Sequence, residues 1–276
     1  MTRGIRAVRP PARRAGGLAY EVRGSGPPLV LVHGLASSRE AWDLVVPDLA
    51  TSFTTYAVDL PGHGDSPALP GSRSTPRAMA AALGRLLDEL DLPSAHLVGN
   101  SLGGWTALEA AADGRALSVT ALAPAGLWVP AQRRSRLLDA NHRLAVLTRP
   151  VVPAVMRVAA VRRTAFAAGV ERPESLPYPV AVDAALAQAR ASGYEAAHLG
   201  VLGERFDRGG DVSLDVPVTV VFGDRDRLLP RPGMQLRDLA PGHARWEVLW
   251  RCGHAPMWDR PSDVVRLVHE TVAAAT

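Results

Sequence analysis

A Gly-x-Ser-x-Gly pentapeptide, Gly99–Gly103, constrains the fold of this chain more than any other feature of its sequence. A short apolar run precedes it, His96–Val98, and an alanine-rich helical run follows it, Trp105–Ala112. A serine hydroxyl is a poor nucleophile at neutral pH unless a base can reach it, and a sharp turn between a strand and a helix exposes it. Side chains in place of the two glycines would collide with the neighbouring strand or helix. The pentapeptide therefore predicts a strand–turn–helix unit with Ser101 as the candidate nucleophile.

Two further motifs lie upstream, each at the end of an apolar run. Leu29–Val32 predicts a buried strand, and His33–Ser38 follows it as a loop. Thr54–Val58 predicts a second strand, and the glycine- and proline-rich loop Asp59–Ser66 follows it. A backbone N–H just beyond the first strand can point at a developing oxyanion, because Gly34 lets the chain come close.

The downstream third of the chain supplies an acid and a base. Pro217–Phe222 predicts a β-branched strand, and the turn after it contains Asp224 and Asp226. Trp246–Trp250 predicts another strand, and His254 follows it. Each of these polar residues therefore lies just beyond the carboxyl end of a predicted strand.

In this order the motifs resemble those of the α/β-hydrolase fold: His-Gly after the third strand, Asp-x-x-Gly-His-Gly-x-Ser after the fourth, then the nucleophile turn. The resemblance implies an α/β protein with a mostly parallel central sheet flanked by helices. It also implies that Asp226, three residues after Gly223, is the triad acid rather than Asp224, and that His254 is the base. Some members place the acid after the sixth strand, but Ala121–Gly126 contains no carboxylate here.

The same resemblance implies a mechanism of acyl transfer to water. Ser101, Asp226 and His254 would form the catalytic triad, and the backbone N–H groups of Leu35 and Leu102 would form the oxyanion hole. Neither a metal ion nor an organic cofactor is needed for this chemistry. A serine at position 101 argues against haloalkane dehalogenases and epoxide hydrolases, whose chemistry needs a carboxylate nucleophile.

A long interval without a convincing strand separates the two parts of the predicted core. A structureless loop of that length is improbable in a compact domain, so we interpret it as an inserted helical unit. We therefore expect a first core part over 1–126, a helical cap over 127–214 and a second core part over 215–276. Three alanine- and arginine-rich runs predict three or four helices in the cap: Gln132–Leu147, Val151–Ala168 and Val182–Val201.

Charge is uneven along the chain, whose formal net charge is +4. Residues 1–26 contain six arginines and one glutamate, which predicts a basic N-terminal arm rather than a nucleic-acid-binding surface. Residues 131–172 contain nine arginines against Asp139 and Glu171, and a solvated outer helix face is the favoured interpretation. All 31 basic residues are arginine, which excludes a Schiff-base lysine and a Walker A phosphate loop.

Other features limit the location and the partners. The single cysteine, Cys252, excludes an intrachain disulfide and is interpreted as a packing residue. The sequence contains neither an apolar segment of about 18 residues nor an apparent signal peptide. We therefore expect a cytoplasmic monomer or homodimer that acts on a small molecule, without a membrane span or a nucleic-acid partner.

The favoured reaction is cleavage of a carboxylic ester of a small to medium apolar substrate, because the cap residues are mainly leucine, valine and alanine. One alternative is a hydrolase that cleaves carbon–carbon bonds in ring-fission products of aromatics. Such hydrolases usually carry an aromatic residue after the histidine, where this chain has Ala255. Another alternative is a ligand-binding protein on the same fold with slow turnover.

Overall fold

Eight strands form one sheet in the computed structural model, which describes residues 11–71, 73–133, 135–230 and 233–275. The first ten residues of the predicted basic arm lie outside the described residues. The strands are β1 (Arg13–Ala15), β2 (Leu18–Arg23), β3 (Pro28–Val32), β4 (Thr54–Val58), β5 (Ala95–Asn100), β6 (Ala116–Leu122), β7 (Val218–Gly223) and β8 (Arg245–Leu249). The apolar runs of the sequence thus become the central strands, within one or two residues at their ends.

The sheet is mostly parallel, as predicted. Its spatial order is β1-β2-β4-β3-β5-β6-β7-β8. Only the pairs β1–β2 and β2–β4 are antiparallel, and every pair from β4 to β8 is parallel. The carboxyl ends of β3, β5, β7 and β8 therefore lie along one edge, where open α/β sheets bind their ligands.

Helices cover both faces of the sheet. The described residues form ten α-helices: α1 (Val46–Leu49), α2 (Pro76–Glu89), α3 (Leu102–Ala112), α4 (Arg136–Thr148), α5 (Val152–Val155), α6 (Ala159–Ala165), α7 (Tyr178–Arg190), α8 (Tyr194–Gly200), α9 (Pro256–Asp259) and α10 (Pro261–Ala273). In the described part of the chain, no helix has the length and apolar character needed to cross a membrane.

The core is divided into two layers by the alternation of side chains along the strands. On β3, Val30 and Val32 pack into the layer that contains buried residues of α2 and α3. Leu29 and Leu31 point to the opposite layer, which contains buried residues of α10. Because neighbouring strand residues face opposite sides, a strand buried on both faces is a continuous apolar run.

Residues 127–214, named here the helical segment, lie between β6 and β7. Their described residues form the five helices α4–α8 and no strand, apart from one isolated bridge from Trp128 to Gln235. The alanine-rich run Val182–Val201 contains part of α7 and all of α8, which are separated at Gly193. A Cβ on Gly193 would press against the backbone of Gly62, and its N–H donates to the Gly62 carbonyl at 2.7 Å. The helix breaks where it meets the core.

The helical segment is joined to the core on two sides of the sheet edge. On one side it contacts the loop after β4 through Gly193. On the other side the Ala255 N–H donates to the Gly169 carbonyl at 2.9 Å. The Asp259 carboxylate also accepts the N–H of Glu171 at 3.0 and 3.1 Å. Backbone hydrogen bonds therefore connect the segment to loops at both ends of the carboxyl edge.

Candidate active site

Ser101 occupies the turn between β5 and α3 in a sparsely populated backbone conformation. Its φ and ψ are 54° and −116°, and its N–H donates to the Leu122 carbonyl at 2.9 Å. Such conformations cost about 1–3 kcal/mol and persist only where the surroundings impose them. Here the surroundings are close-packed: a Cβ on Gly99 would clash with the Gly103 carbonyl, and one on Gly103 with the Val32 carbonyl.

The loop after β3 lies against Ser101. A Cβ on Gly34 would be 3.2 Å from the Cβ of Ser101. His33 Nε2 accepts the Leu60 N–H at 3.0 Å, so its Nδ1 carries the proton and donates to the Gly34 carbonyl at 2.7 Å. Because the peptide between Gly34 and Leu35 is planar and trans, the Leu35 N–H points away from that carbonyl.

Leu102 begins α3, directly after Ser101, and its side chain is buried. The first N–H groups of a helix have no acceptor within the helix, and the helix dipole makes this end electropositive. The N–H groups of Leu102 and Leu35 thus belong to two different elements that meet near Ser101.

His254 and Asp226 are in direct contact. His254 Nδ1 is 2.8 Å from Asp226 Oδ2, and both residues are buried. The other carboxylate oxygen of Asp226 accepts the N–H groups of Leu228 and Leu229 at 2.9 and 2.8 Å. The acid is therefore fixed on one side by its own loop, and its remaining oxygen is directed at the imidazole.

Opposing effects set the pKa of Asp226. Burial alone favours the neutral acid and would raise the pKa. The charge and hydrogen bond of His254, with the N–H groups of Leu229 and Leu228, outweigh burial, so the pKa of Asp226 lies below its ordinary value. The carboxylate is consequently ionised at neutral pH.

Asp224 lies elsewhere in the same turn. Its Oδ1 accepts the N–H of Cys252 at 3.1 Å, and its Oδ2 is 3.4 Å from Arg225 Nε. Asp224 thus ties the ends of β7 and β8 together, whereas Asp226 contacts the imidazole.

The structure does not join all three candidate residues by hydrogen bonds. Among the residues that it describes, the Ser101 hydroxyl makes no hydrogen bond to His254. Instead, the turn that contains Ser101 is linked to the loop that contains His254 through Asn100. The Asn100 amide donates to the backbone carbonyls of His254 at 2.9 Å and Leu122 at 3.1 Å. This link was not predictable from the sequence, because the second position of the pentapeptide carries no recognisable signal.

A buried ion pair, which no local sequence pattern indicates, connects the loops after β3 and β4. Arg39 contacts the Asp59 carboxylate through its guanidinium and donates its backbone N–H at 2.7 Å. Asp59 also accepts the Asp65 N–H at 2.9 Å. Arg39 and Asp59 are both buried. The pair fixes the backbone that carries Gly34 and Leu35, although its partners are 20 residues apart in sequence.

Other reactive residue types are placed outside this site. Cys252 is buried, and burial raises the pKa of its thiol, which keeps it protonated. His96 hydrogen-bonds Ser118 at 2.9 Å, and His142 stacks on Tyr194. Within the described ranges, no three His, Cys, Asp or Glu side chains are grouped so that they could hold a metal ion.

A cavity of about 410 Å³ lies between α4 and α7–α8. Arg143, Arg149 and Arg190 line it together with Val146, His142 and Tyr194. None of the five candidate site residues lines this cavity.

A sequence profile of the alpha/beta hydrolase family matches residues 29–267, which include the whole candidate site. The chain belongs to the alpha/beta hydrolase family. The pimeloyl-[acyl-carrier protein] methyl ester esterase of Xanthomonas campestris pv. campestris is 32% identical to it over 262 residues, covering 92% of this chain and 98% of that enzyme. A second relative is the dihydrolipoyllysine-residue acetyltransferase component of the acetoin cleaving system of Cupriavidus necator. That match is 40% identical over 111 residues and covers 39% of this chain but only 29% of the relative.

Solved structures share the fold of this hydrolase. A thermophilic esterase from Thermogutta terrifontis aligns with a TM-score of 0.72 and 23% identity over 94% of both chains. A meta-cleavage product hydrolase from Pseudomonas fluorescens IP01 aligns with a TM-score of 0.68 and 20% identity, covering 95% of this chain and 97% of that one. The predicted fold class is therefore confirmed.

Proposed function

We propose that this hydrolase cleaves carboxylic esters of small to medium apolar substrates, with Ser101, His254 and Asp226 as its catalytic triad. The proposal rests on the contact between His254 Nδ1 and Asp226 Oδ2. It rests also on the strained strand-to-helix turn that holds Ser101. An ionised carboxylate at this distance accepts a hydrogen bond from Nδ1–H and leaves Nε2 free to act as a base.

The proposed reaction proceeds in two halves. His254 Nε2 takes the proton of the Ser101 hydroxyl as its oxygen attacks the ester carbonyl, and then gives that proton to the leaving alcohol. Water attacks the resulting acyl-enzyme with the same base, and the acid product leaves. Asp226 stays ionised throughout and stabilises the imidazolium that forms in each half.

The N–H groups of Leu35 and Leu102 are the proposed oxyanion hole. Leu102 supplies a helix N-terminal N–H with a favourable dipole, and Leu35 supplies an N–H whose peptide is oriented by the bond from His33 to Gly34. Removing one such donor from a serine hydrolase costs about 10²–10³ in kcat.

We also propose that the helical segment acts as a cap over Ser101. Its contacts with the loop after β4 and with the Ala255–Asp259 region support this proposal, because those two regions flank the edge at which β5 ends. A cap that excludes water strengthens the electrostatic interactions at the reacting ester. We accordingly propose core parts over 1–126 and 215–276 and a cap over 127–214.

A panel of p-nitrophenyl esters of graded acyl length tests the proposed reaction. We expect the wild-type chain to hydrolyse esters of short to medium acyl length fastest. We expect Ser101→Ala and His254→Ala each to lower kcat by about 10⁵–10⁶. His243→Ala is the matched control, since this half-buried histidine bonds the Val216 carbonyl outside the site. Near-normal turnover in Ser101→Ala would overturn the assignment.

Hydrolysis of carbon–carbon bonds is a second candidate, favoured by the many arginines of the proposed cap, of which Arg190 is one. Ring-fission products carry carboxylates, which arginine binds in bidentate geometry. Adding a ring-fission dienoate to the ester panel discriminates between the two reactions. We expect the esters to be preferred, and a dienoate preference that is lost in Arg190→Ala would reverse that ranking.

A further inference from the structure

A row of apolar side chains on the helical segment remains in contact with solvent. Leu144, Leu147, Val151 and Val158 are 58, 79, 49 and 52% exposed, and we name them the apolar stripe. The first three are spaced as i, i+3 and i+7 along α4 and the 3-10 turn Arg149–Val151, so they share one helix face. Exposed apolar residues are normally scattered singly, and several of them on one helix face mark an interaction surface.

Exposed arginines lie along the same helices as the apolar stripe, and two of them, Arg143 and Arg149, also line the cavity. Their side chains make no ion pair with any residue in the described part of the chain: Arg136, Arg143, Arg149, Arg157 and Arg163. The only carboxylate in residues 136–166 is Asp139, which accepts a hydrogen bond from the Tyr194 hydroxyl at 3.1 Å. Arginine therefore outnumbers carboxylate along residues 136–166, the stretch that contains the stripe.

Tyr178 adds an amphipathic aromatic to this surface. Its ring is partly exposed and lies under the guanidinium of Arg157, 5.6 Å from the ring centroid. Its hydroxyl donates to the Pro153 carbonyl at 2.7 Å, which ties α7 to the first turn of α5. Tyrosines with one apolar and one polar side are enriched where proteins meet the headgroup layer of a bilayer.

We propose that the apolar stripe and its arginines dock the helical segment onto a membrane surface that contains anionic phospholipids. Leucine and valine side chains enter the acyl boundary, and the arginines contact the phosphates. A second copy of the chain is less suited to this surface, since a two-fold interface would set the unpaired arginines of one copy against those of the other. The segment lies on the bilayer and does not cross it.

This inference goes beyond the proposed ester hydrolysis and does not depend on it. None of the four stripe residues lines the cavity, and none is one of the candidate site residues. The membrane contact would determine where the enzyme meets an apolar substrate, whereas the chemistry belongs to Ser101 and its partners.

Co-sedimentation with vesicles tests the apolar part of the surface. The vesicles are phosphatidylcholine alone or an equimolar mixture with phosphatidylglycerol. We expect the full chain to bind the mixed vesicles, and Leu147→Ser to lower the partition coefficient by about tenfold, the loss of one buried leucine. Leu214→Ser is the matched control, because Leu214 is 80% exposed but lies just before β7. Equal losses in the two variants would contradict the proposal.

Charge is tested by the double variant Arg157→Ala with Arg163→Ala, which spares the arginines of the cavity. We expect about fivefold weaker binding to mixed vesicles for each arginine removed, and a smaller loss at higher ionic strength. Arg85→Ala on α2 removes an exposed arginine outside the surface and should leave binding unchanged.

Two results would overturn the proposal. One is failure of the wild-type chain to bind mixed vesicles at low ionic strength. The other is a concentration-dependent dimer in analytical ultracentrifugation that Leu147→Ser dissociates, which would assign the stripe to a second copy. Hydrolysis of a soluble ester by Leu147→Ser should equal that of wild type, so a failure of the membrane proposal is distinguishable from a failure of the proposed function.

Discussion

At the scale of single residues, the contact between Asp226 and His254 decides which imidazole nitrogen carries the proton. An acceptor at Nδ1 fixes the tautomer in which Nε2 is unprotonated. The sequence predicted both residues from their place beyond strand ends and from the family pattern. It could not predict the Asn100 bridge, because an amide that bonds two distant carbonyls leaves no local pattern.

Substitution of each aspartate by asparagine distinguishes the roles of Asp224 and Asp226 in this turn. Asp226→Asn should lower kcat for ester hydrolysis by about 10⁴, because the amide favours the wrong tautomer of His254. Asp224→Asn is the matched control and should cost far less, since Asp224 bonds the Cys252 N–H. Steady-state kinetics that rank the two variants in the opposite order would move the acid to position 224.

Two buried histidines make the stability of the fold depend on pH. Burial lowers the pKa of His33 to about 4 and that of His63 to about 3. An unfolded chain has histidines of pKa about 6.5, so below that pH it binds protons that the folded chain does not. The free energy of unfolding should therefore decrease as the pH is lowered from about 6.5 to about 4. The expected decrease is about 1.4 kcal/mol per pH unit for each histidine.

His63→Asn tests this dependence. An asparagine amide can still donate to the Pro61 carbonyl, which His63 Nδ1 contacts at 3.0 Å, but it does not titrate in this range. Urea unfolding at several pH values should give a shallower slope in the variant. An unchanged slope would show that His63 is protonated in the folded protein.

At the scale of elements, the loops after β3 and β4 depend on each other through Arg39 and Asp59. The sequence predicted both strands and both loops, since apolar runs and glycine-rich turns are local signals. The ion pair between the loops was not predictable, because a buried pair is defined by the fold that brings its partners together.

Asp59→Ala should destabilise the protein by about 3–5 kcal/mol, because it leaves the buried Arg39 guanidinium without one of its partners. The double variant Arg39→Met with Asp59→Leu should recover part of this loss, since it removes the buried charge. Urea unfolding of the three variants measures the coupling. Destabilisation of Asp59→Ala by less than about 1 kcal/mol would mean that the pair contributes little.

At the scale of the whole molecule, the helical segment and the core form one hydrogen-bonded unit at the carboxyl edge of the sheet. The sequence predicted an all-helical interval from its length and its lack of strands. It did not predict where the helices break, because contacts with the core determine those positions. For example, α7 and α8 separate where Gly193 contacts Gly62. Helical periodicity predicts which face of a helix is buried, but it does not predict which distant loop the end of that helix contacts.

The central claim is that Ser101 is the nucleophile, and covalent labelling tests it most directly. A fluorophosphonate ester transfers its phosphonyl group to an activated serine and releases fluoride, and mass spectrometry of the digested protein locates the adduct. We predict a single adduct on the peptide that contains Ser101, much slower labelling of His254→Ala, and no adduct in Ser101→Ala. Labelling of Ser101→Ala at the wild-type rate, or an adduct on another serine of the wild-type chain, would contradict the account.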